Sequence, residues 1–371
     1  MLITGVGLHP FGRFEDRTAT DMGVVAVRAA LAEAGVGRGG FQAAFCGTAY
    51  GGVAAGHRVL GRLGMTGMPI VDVEAGCASG GAALMLAGAA IRSGQYDTVL
   101  VFGIEKMPKG IIRSSFFEPW QETAGMAATP AYFALRAQRL MRTSGVTKEH
   151  LATVVVKNRG HGVHNPNAMF QKEVSADDVL ASRVVSEPLH LWMLCTPNEG
   201  AAAVVLQRDG PGITLAAAVL RSHLPGGVLN ESTPMAGLTD DTIPSATTLA
   251  ARAAFEEAGI GPEDLDVVEC QDTDAARELL SYEELGLCPA GGAADLLDSG
   301  AVAMGGRLPV NPSGGLLSKG EPLGASALGQ VVELVQQLRG TAGRRQVEGA
   351  ATALSHTVGR GANAGVVVLT R

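Results

Sequence analysis

The sequence predicts an α/β protein, and three observations carry that reading. Short β-branched runs alternate with Ala/Leu-rich segments of helical length along the whole chain. Hydrophobic residues make up 46% and charged residues 18%, with 51 glycines and only 4% aromatics, a mix suited to close-packed layers with small residues at the contacts. At 371 residues the chain suits two domains of ordinary size or one large duplicated fold.

The elements follow in order. LITGVGL (2–8) alternates as a strand, and ATDMGVVAVRAALAEAGV (19–36) has the apolar spacing of a helix that stops near Gly35. PIVDVEAG (69–76) is a strand leading into the helix CASGGAALMLAGAAIRSG (77–94), and DTVLVFGIE (97–105) is the next strand. In the second half, TTLAARAAFEEAGI (247–260) predicts a helix and LDVVECQD (265–272) a strand. GEPLGAS (320–326) opens a helix that reaches about Arg339.

The two halves repeat one another. NEGAAAVVLQR (198–208) pairs with RGANAGVVVLTR (360–371), each a Gly/Ala turn followed by a Val-rich strand. GCASGGAALMLAGAAIRSG (76–94) pairs with GEPLGASALGQVVELVQQLRG (320–340), each a small-residue turn opening a helix. Free reuse of Ala/Gly patterns among α/β proteins is the bland alternative. The first half also carries about 90 extra residues between Glu105 and Ala201, including FFEPW (116–120), a helix around 131–145 and HGVHNPNAMF (161–170). Long insertions at such a place commonly cover a site.

Charge and composition exclude several functions. The formal charge is −7 with no Lys/Arg cluster, which argues against nucleic acid or an anionic membrane as partner. No apolar run approaches the length of a membrane span, and MLITGVGLHPFGR lacks a signal-peptide pattern. Five scattered cysteines (Cys46, Cys77, Cys195, Cys270, Cys288) suit reduced thiols in a cytoplasmic protein rather than a disulfide framework. His161 and His164 are three apart, but no third ligand accompanies them, so no metal site is expected.

Cys77 is the candidate nucleophile. It follows a strand and opens a helix, where unpaired N–H groups and the macrodipole favour thiolate. That turn also projects a side chain at the strand's C-terminal end, where open α/β sheets place their sites. A buried inert thiol is the alternative. The other four cysteines lack this setting and suit core packing, although Cys195 and Cys270 lie close enough to turns to line a site. A thiolate needs a base and an oxyanion site. His356, in LSHTVGRGANAG (354–365), is expected in a Gly-rich turn from which an imidazole could reach a neighbouring loop; a solvated loop histidine is the alternative. Gly359 and Gly361 suggest a backbone that something approaches closely.

Together these stretches resemble the thiolase superfamily, and within it the sterol-carrier-type (lipid-transfer) thiolases. GCASGGAAL resembles the nucleophilic-cysteine motif, HNPNAMF a segment of the inserted loop domain, and SEPLHLWMLCTPNEGAAAVVL the close of the N-terminal half. VNPSGGLLSKGEPLGASALGQ resembles the N-P-S-G-G…G-H-P-x-G-A stretch, and LSHTVGRGANAG the C-terminal H-N-x-G loop. The resemblance implies a five-layer αβαβα fold: an N-terminal half over 1–210, including a loop domain at about 106–190, and a C-terminal half over 211–371. It implies a dimer or dimer of dimers, acyl-CoA substrates and no permanently bound cofactor. The chain ends at Arg371 straight after its last strand, so no appended sterol-carrier domain is expected. Cys77 would accept the acyl group, backbone N–H groups near Cys77 and Gly359–Gly361 would hold the thioester oxygen, and His356 would be the acid/base at carbon. Arg113 and Lys109 in the insert, with Ser313 and Gly314, are the candidate CoA contacts. Met residues, Phe116, Phe117 and Trp120 of the insert suit an apolar pocket wall or an ordinary loop-domain core.

Two positions depart from the pattern. Gln271-Asp272-Thr273-Asp274 stands where the family has H-D-C-F, so the Gln271 amide would replace an imidazole that holds water or substrate oxygen. Glu321 stands where the family has the histidine of G-H-P. Moving a proton from a thiol to a carboxylate is uphill by about 4 pKa units, about 6 kcal/mol, at reference values. A neutral Glu321 could donate to an oxyanion, and a helix-start carboxylate satisfying N–H groups is the plain alternative. The expected function is a β-ketoacyl-CoA thiolase working through Cys77. The alternatives are a thiolase-fold retro-aldolase acting on a β-hydroxyacyl-CoA, or a subunit active only with a DUF35-type OB-fold, zinc-ribbon partner.

Overall fold

A computed structural model describes residues 1–110, 119–123, 129–225, 242–359 and 363–371. In the first half, β1 (Leu2–Gly12) leads to α1 (Ala19–Glu33), which Thr18 and Asp21 open with a reciprocal capping box. β2 (Ala43–Gly47), α2 (Ala55–Leu63) and β3 (Ile70–Val73) follow. A 3₁₀ turn at Gly76–Ala78 then runs into α3 (Ser79–Arg92), before β4 (Thr98–Lys106).

The insert holds α4 (Pro119–Thr123), α5 (Thr129–Ser144), α6 (Lys148–Gly162), α7 (Ala176–Ala181) and a small hairpin, β5 (Val184–Ser186) with β6 (Leu189–His190). The chain re-enters the sheet at β7 (Glu199–Gln207). The second half comprises β8 (Ile213–Ser222), α8 (Ala246–Ala258), β9 (Val267–Glu269), α9 (Ala275–Glu284), α10 (Ala293–Asp298), α11 (Gly315–Lys319), α12 (Leu323–Arg339), β10 (Thr352–Gly359) and β11 (Asn363–Thr370).

The duplication is plain in the strand order. The first half reads β3-β2-β4-β7-β1; the second reads β8-β11-β10-β9, extended past β9 by a parallel bridge from Val268 to Val310. Reversed, the second order matches the first position by position, including the change from parallel to antiparallel pairing. The halves join where β1 and β8 pair at Leu2–Thr214 and Ile3–Ile213.

The layering follows from which helices have one apolar face and which have two. α1 and α2 cover the outer face of the first half, and α8 and α9 that of the second. α3 and α12 pack together between the halves. α12 is buried on nearly every side, including its polar Gln330, Glu333 and Gln337. Its polar Glu333 and Gln337 are satisfied by Arg345 and by each other. α5 and α6 share a core with the second half (Leu140, Leu151 and Val155 beside Leu279 and Tyr282), so the first half's insert docks on its twin. No helix among the described residues is long and apolar enough to cross a membrane.

Candidate active site

The two duplicated helix starts meet at one place. Gly103 and Gly324 have no room for a side chain, and Gly80 little: a Cβ on Gly103 would lie 2.2 Å from the Gly324 carbonyl oxygen. One on Gly324 would lie 2.6 Å from the Gly47 and Ile104 oxygens. Buried Glu105, at the end of β4, clamps this contact by accepting from the N–H groups of Ala49, Tyr50 and Gly324. Burial pushes its carboxyl above the usual range, partly offset by those bonds.

Cys77 lies in the 3₁₀ turn ahead of α3, 8% exposed, against Met107 and Leu323. Gly76 holds φ +59°, and the Ser79 hydroxyl fixes the turn by accepting from Ala75 N–H and donating to Gly76 O at 2.6 Å. Gly359 ends β10 directly over this turn; a Cβ there would meet the Ala75 carbonyl oxygen at 1.9 Å. The expected close approach of that glycine is thus to the backbone ahead of Cys77. Gly361 and Arg113 lie outside the described residues.

Glu321 enters from the other start. Gly320 (φ +83°) leaves no space beside Asn198, and Glu321 N–H donates to Thr196 O at 2.9 Å. The segment before β7 therefore holds Glu321 in place. Each carboxylate oxygen accepts one bond: Oε1 from Gln271 Nε2 at 3.0 Å and Oε2 from Cys195 Sγ at 3.2 Å. The Gln271 oxygen accepts from Val358 N–H. Burial, then the Glu321 charge, drives the Cys195 thiol well above its ordinary pKa, so it is a proton donor here.

Cys77, Cys195, Gln271, Glu321, Leu323 and Val358 share the wall of a cavity of about 940 Å³ that reaches under the insert to Phe133, Phe170 and Trp192. Size and apolar lining suit an organic acyl group. Among the described residues no cluster of His, Cys, Asp and Glu has a metal-binding arrangement.

Residues 2–209 match the family model for the thiolase N-terminal domain, and 227–371 that for the thiolase C-terminal domain-like family. The chain belongs to the thiolase family. Over its full length it is 36% identical to "Sterol carrier protein 2" of Gallus gallus, covering 71% of that protein. It is 35% identical to "Acetyl-CoA acetyltransferase" of Methanothermobacter thermautotrophicus, covering 100% of this chain and 99% of the relative. "Benzoylsuccinyl-CoA thiolase subunit BbsB" of Thauera aromatica is 37% identical, over 98% of this chain and 95% of its own. Among solved structures, "Ltp2-ChsH2(DUF35) aldolase" superposes with a TM-score of 0.88 at 24% identity, over 100% of this chain and 97% of that one. Human mitochondrial 3-ketoacyl-CoA thiolase in complex with CoA superposes at 0.75 and 16% identity, over 100% and 97%.

Within this thiolase fold several expected residues sit elsewhere. His356 is a residue of β10, not of a turn. Its ring lies on the sheet's outer face, Nε2 is 3.0 Å from Thr247 Oγ1 on α8, and it does not line the cavity. Burial and Arg277 hold it well below the ordinary imidazole pKa. Position along the strand decides this: Val358, two residues on and on the same face, lies at the strand's end and lines the cavity, while His356 lies one step back under α8. Ser313 and Gly314 are fully enclosed: the Ser313 hydroxyl donates to Glu269, and Gly314 abuts Gly162. Lys109 is on the surface, paired with Glu15. Trp120 is 60% exposed and forms no cavity wall, while Phe116 and Phe117 lie outside the described residues. Cys195, assigned to core packing, is the residue sequence reading undervalued; its one signal was its place three residues before the Asn198 turn.

Proposed function

We propose that this thiolase-family chain is an acyl-CoA acyltransferase that cleaves or forms a β-ketoacyl-CoA through an acyl-cysteine on Cys77. The observation carrying this reading is the placement of Cys77 at the wall of a largely apolar cavity, in the turn where the two duplicated helix starts meet. In the forming direction Cys77 would attack the thioester carbonyl, its oxygen held by N–H groups of the Cys77 and Gly359 turns. The S–H proton would pass by way of Glu321 to the departing CoA thiolate, of similar pKa. Gln271 and Cys195 orient Glu321 for that relay. A second acyl-CoA, deprotonated at Cα, would then attack the acyl-cysteine carbonyl, so that the C–C bond forms as the Cys77 thiolate leaves; cleavage is the reverse. Acyl-CoA is substrate here, with no resident cofactor, and the free thiols of all five cysteines suit a reducing, cytoplasmic setting.

A second reading rests on Glu321 itself. A carboxylate in place of the family's imidazole suits an oxygen base that takes the proton of a β-hydroxyl, after which the Cα–Cβ bond breaks and the enolate is protonated. The aldolase named among the solved neighbours pairs its thiolase-fold chain with a DUF35 protein, and a partner of that class belongs to this reading. Mass spectrometry after incubation with acyl-CoA separates the two. An acyl adduct on the Cys77 peptide supports the transferase. Absence of any adduct, with full activity in Cys77→Ala on a β-hydroxyacyl-CoA, would replace it with the aldolase.

A further inference from the structure

Six cationic side chains are buried among the described residues: Arg136, Lys157, Arg159, Arg277, Lys319 and Arg345. Five have a carboxylate: Arg136 meets Asp274, Lys157 meets Glu278, Arg277 meets Glu284, Lys319 meets Glu269 and Arg345 meets Glu333. That is the ordinary requirement for a charge withdrawn from water. Arg159 alone has neither a carboxylate nor a hydrogen-bond partner among the described residues. It projects from α6 into the cavity wall at 8% exposure, with its guanidinium 4.0 Å from the centroid of the Phe170 ring, which lines the same cavity. Burial lowers its pKa to about 10, with no neighbouring carboxylate to offset the loss, and it remains a cation at neutral pH. The cavity's other charged lining residues are the exposed Lys172, Glu173, Asp178 and Arg183, the half-buried Arg13, which meets Glu199, the buried Arg136 and Arg277, each already paired with a carboxylate, and Glu321.

We propose that Arg159 sets substrate choice, selecting acyl-CoA thioesters whose acyl chain carries a second, free carboxylate. The inference rests on the reading of this cavity as the acyl-CoA site. A planar guanidinium stacked on an aromatic ring presents its edge for two-point binding of a carboxylate. A desolvated cation also discriminates against a neutral chain, which would leave it unpaired. CoA phosphates are the other source of anionic oxygen. They are multiply charged and strongly hydrated, which suits a rim better than an enclosed wall.

Equilibrium titration calorimetry in a Cys77→Ala background, which prevents turnover, tests the idea. The probes are succinyl-, glutaryl- and adipyl-CoA, the neutral butyryl-, pentanoyl- and hexanoyl-CoA, and CoA alone. At least one carboxylated thioester is expected to bind tenfold or more tightly than its neutral counterpart. Arg159→Gln should erase that preference without changing affinity for CoA, and Arg159→Lys should keep part of it. No preference at any length overturns the proposal, and this arm needs no folded Arg159 variant. Equal weakening of every probe by Arg159→Gln overturns it too, assigning the cation to a CoA phosphate. Binding without preference refutes only this selection; no binding of CoA or any thioester refutes the acyl-CoA reading as well.

Discussion

The turn that opens α3 and the turn that opens α12 occupy equivalent places in the two halves, yet they are supported by different physics. Around Cys77 the support is mostly backbone and small side chains: Ser79 bridges Ala75 and Gly76, Glu74 accepts from the Gly76 N–H, and glycines let the neighbouring elements touch. Around Glu321 it is buried polar chemistry. Gln271 and Cys195 hold the carboxylate; behind them Asp272 caps α11 through Leu316 and Leu317, and Asn158 reaches both Asp272 and Glu278. Burial and the nearby Glu278 raise the Asp272 carboxyl well above its usual range. The duplicated backbone thus delivers a thiol from a lightly charged side and a carboxylate from a charged one. An acid beside the cysteine disfavours a second negative charge, so the asymmetry sets how hard thiolate formation is.

The largest test removes the first partner. Cys77→Ala is expected to lower thioester turnover by about 10⁴-fold or more, the scale of losing a nucleophile. Glu321→Gln keeps the shape but removes the charge, and about 10²-fold loss is expected for a proton relay. The same change should lower the Cys195 pKa and speed its alkylation near neutral pH. A loss as deep as that of Cys77→Ala would make Glu321 an obligatory base and the two turns equal in weight.

The contact between the turns is tested by Gly324→Ala, whose Cβ would press on two carbonyl oxygens at 2.6 Å. Denaturant unfolding should show a loss of about 1–3 kcal/mol. Gly81→Ala, with its nearest neighbours at 3.8 and 3.9 Å, should be neutral or stabilising by about 0.5–1 kcal/mol.

The smallest effect concerns acid. Buried His161, bonded to Asn311 O, has its pKa lowered to about 4, first by burial and then by Lys157. The unfolded chain then binds more protons below its model value of 6.5, so stability is full above that pH and falls as pH drops toward 4. Unfolding at pH 7 and pH 5 should differ by about 2 kcal/mol from this group. His161→Gln should flatten the slope by that amount, and an unchanged slope would mean the second half's polar core is not the acid-sensitive side.

Much of the fold was legible because its signals are local. The helix predicted to stop near Gly35 does so, with Gly35 at φ +65°. The expected strand at 97–105 is β4 within one residue at each end, and GEPLGAS opens a helix that ends at Arg339. The Cys77 turn was readable from a strand, a thiol and glycines in immediate succession.

What failed depended on distance. His356 pairs with Thr247, 109 residues away, and Cys195 with Glu321, 126 residues away. Nothing in LSHTVG says which sheet face His356 takes, and nothing in MLCTPN names the carboxylate that Cys195 will meet. Sequence by itself determined the element order, the duplication and the turn that presents Cys77, since periodicity, caps and glycine conformations act over a few residues; the thiolase membership was legible as a resemblance of ordered motifs. Tertiary structure alone decided that His356 faces α8, that Cys195 and Gln271 hold Glu321, and that Arg159 stands at the cavity with no carboxylate partner among the described residues. Those outcomes depend on which faces are buried against each other, and packing of segments a hundred residues apart settles that.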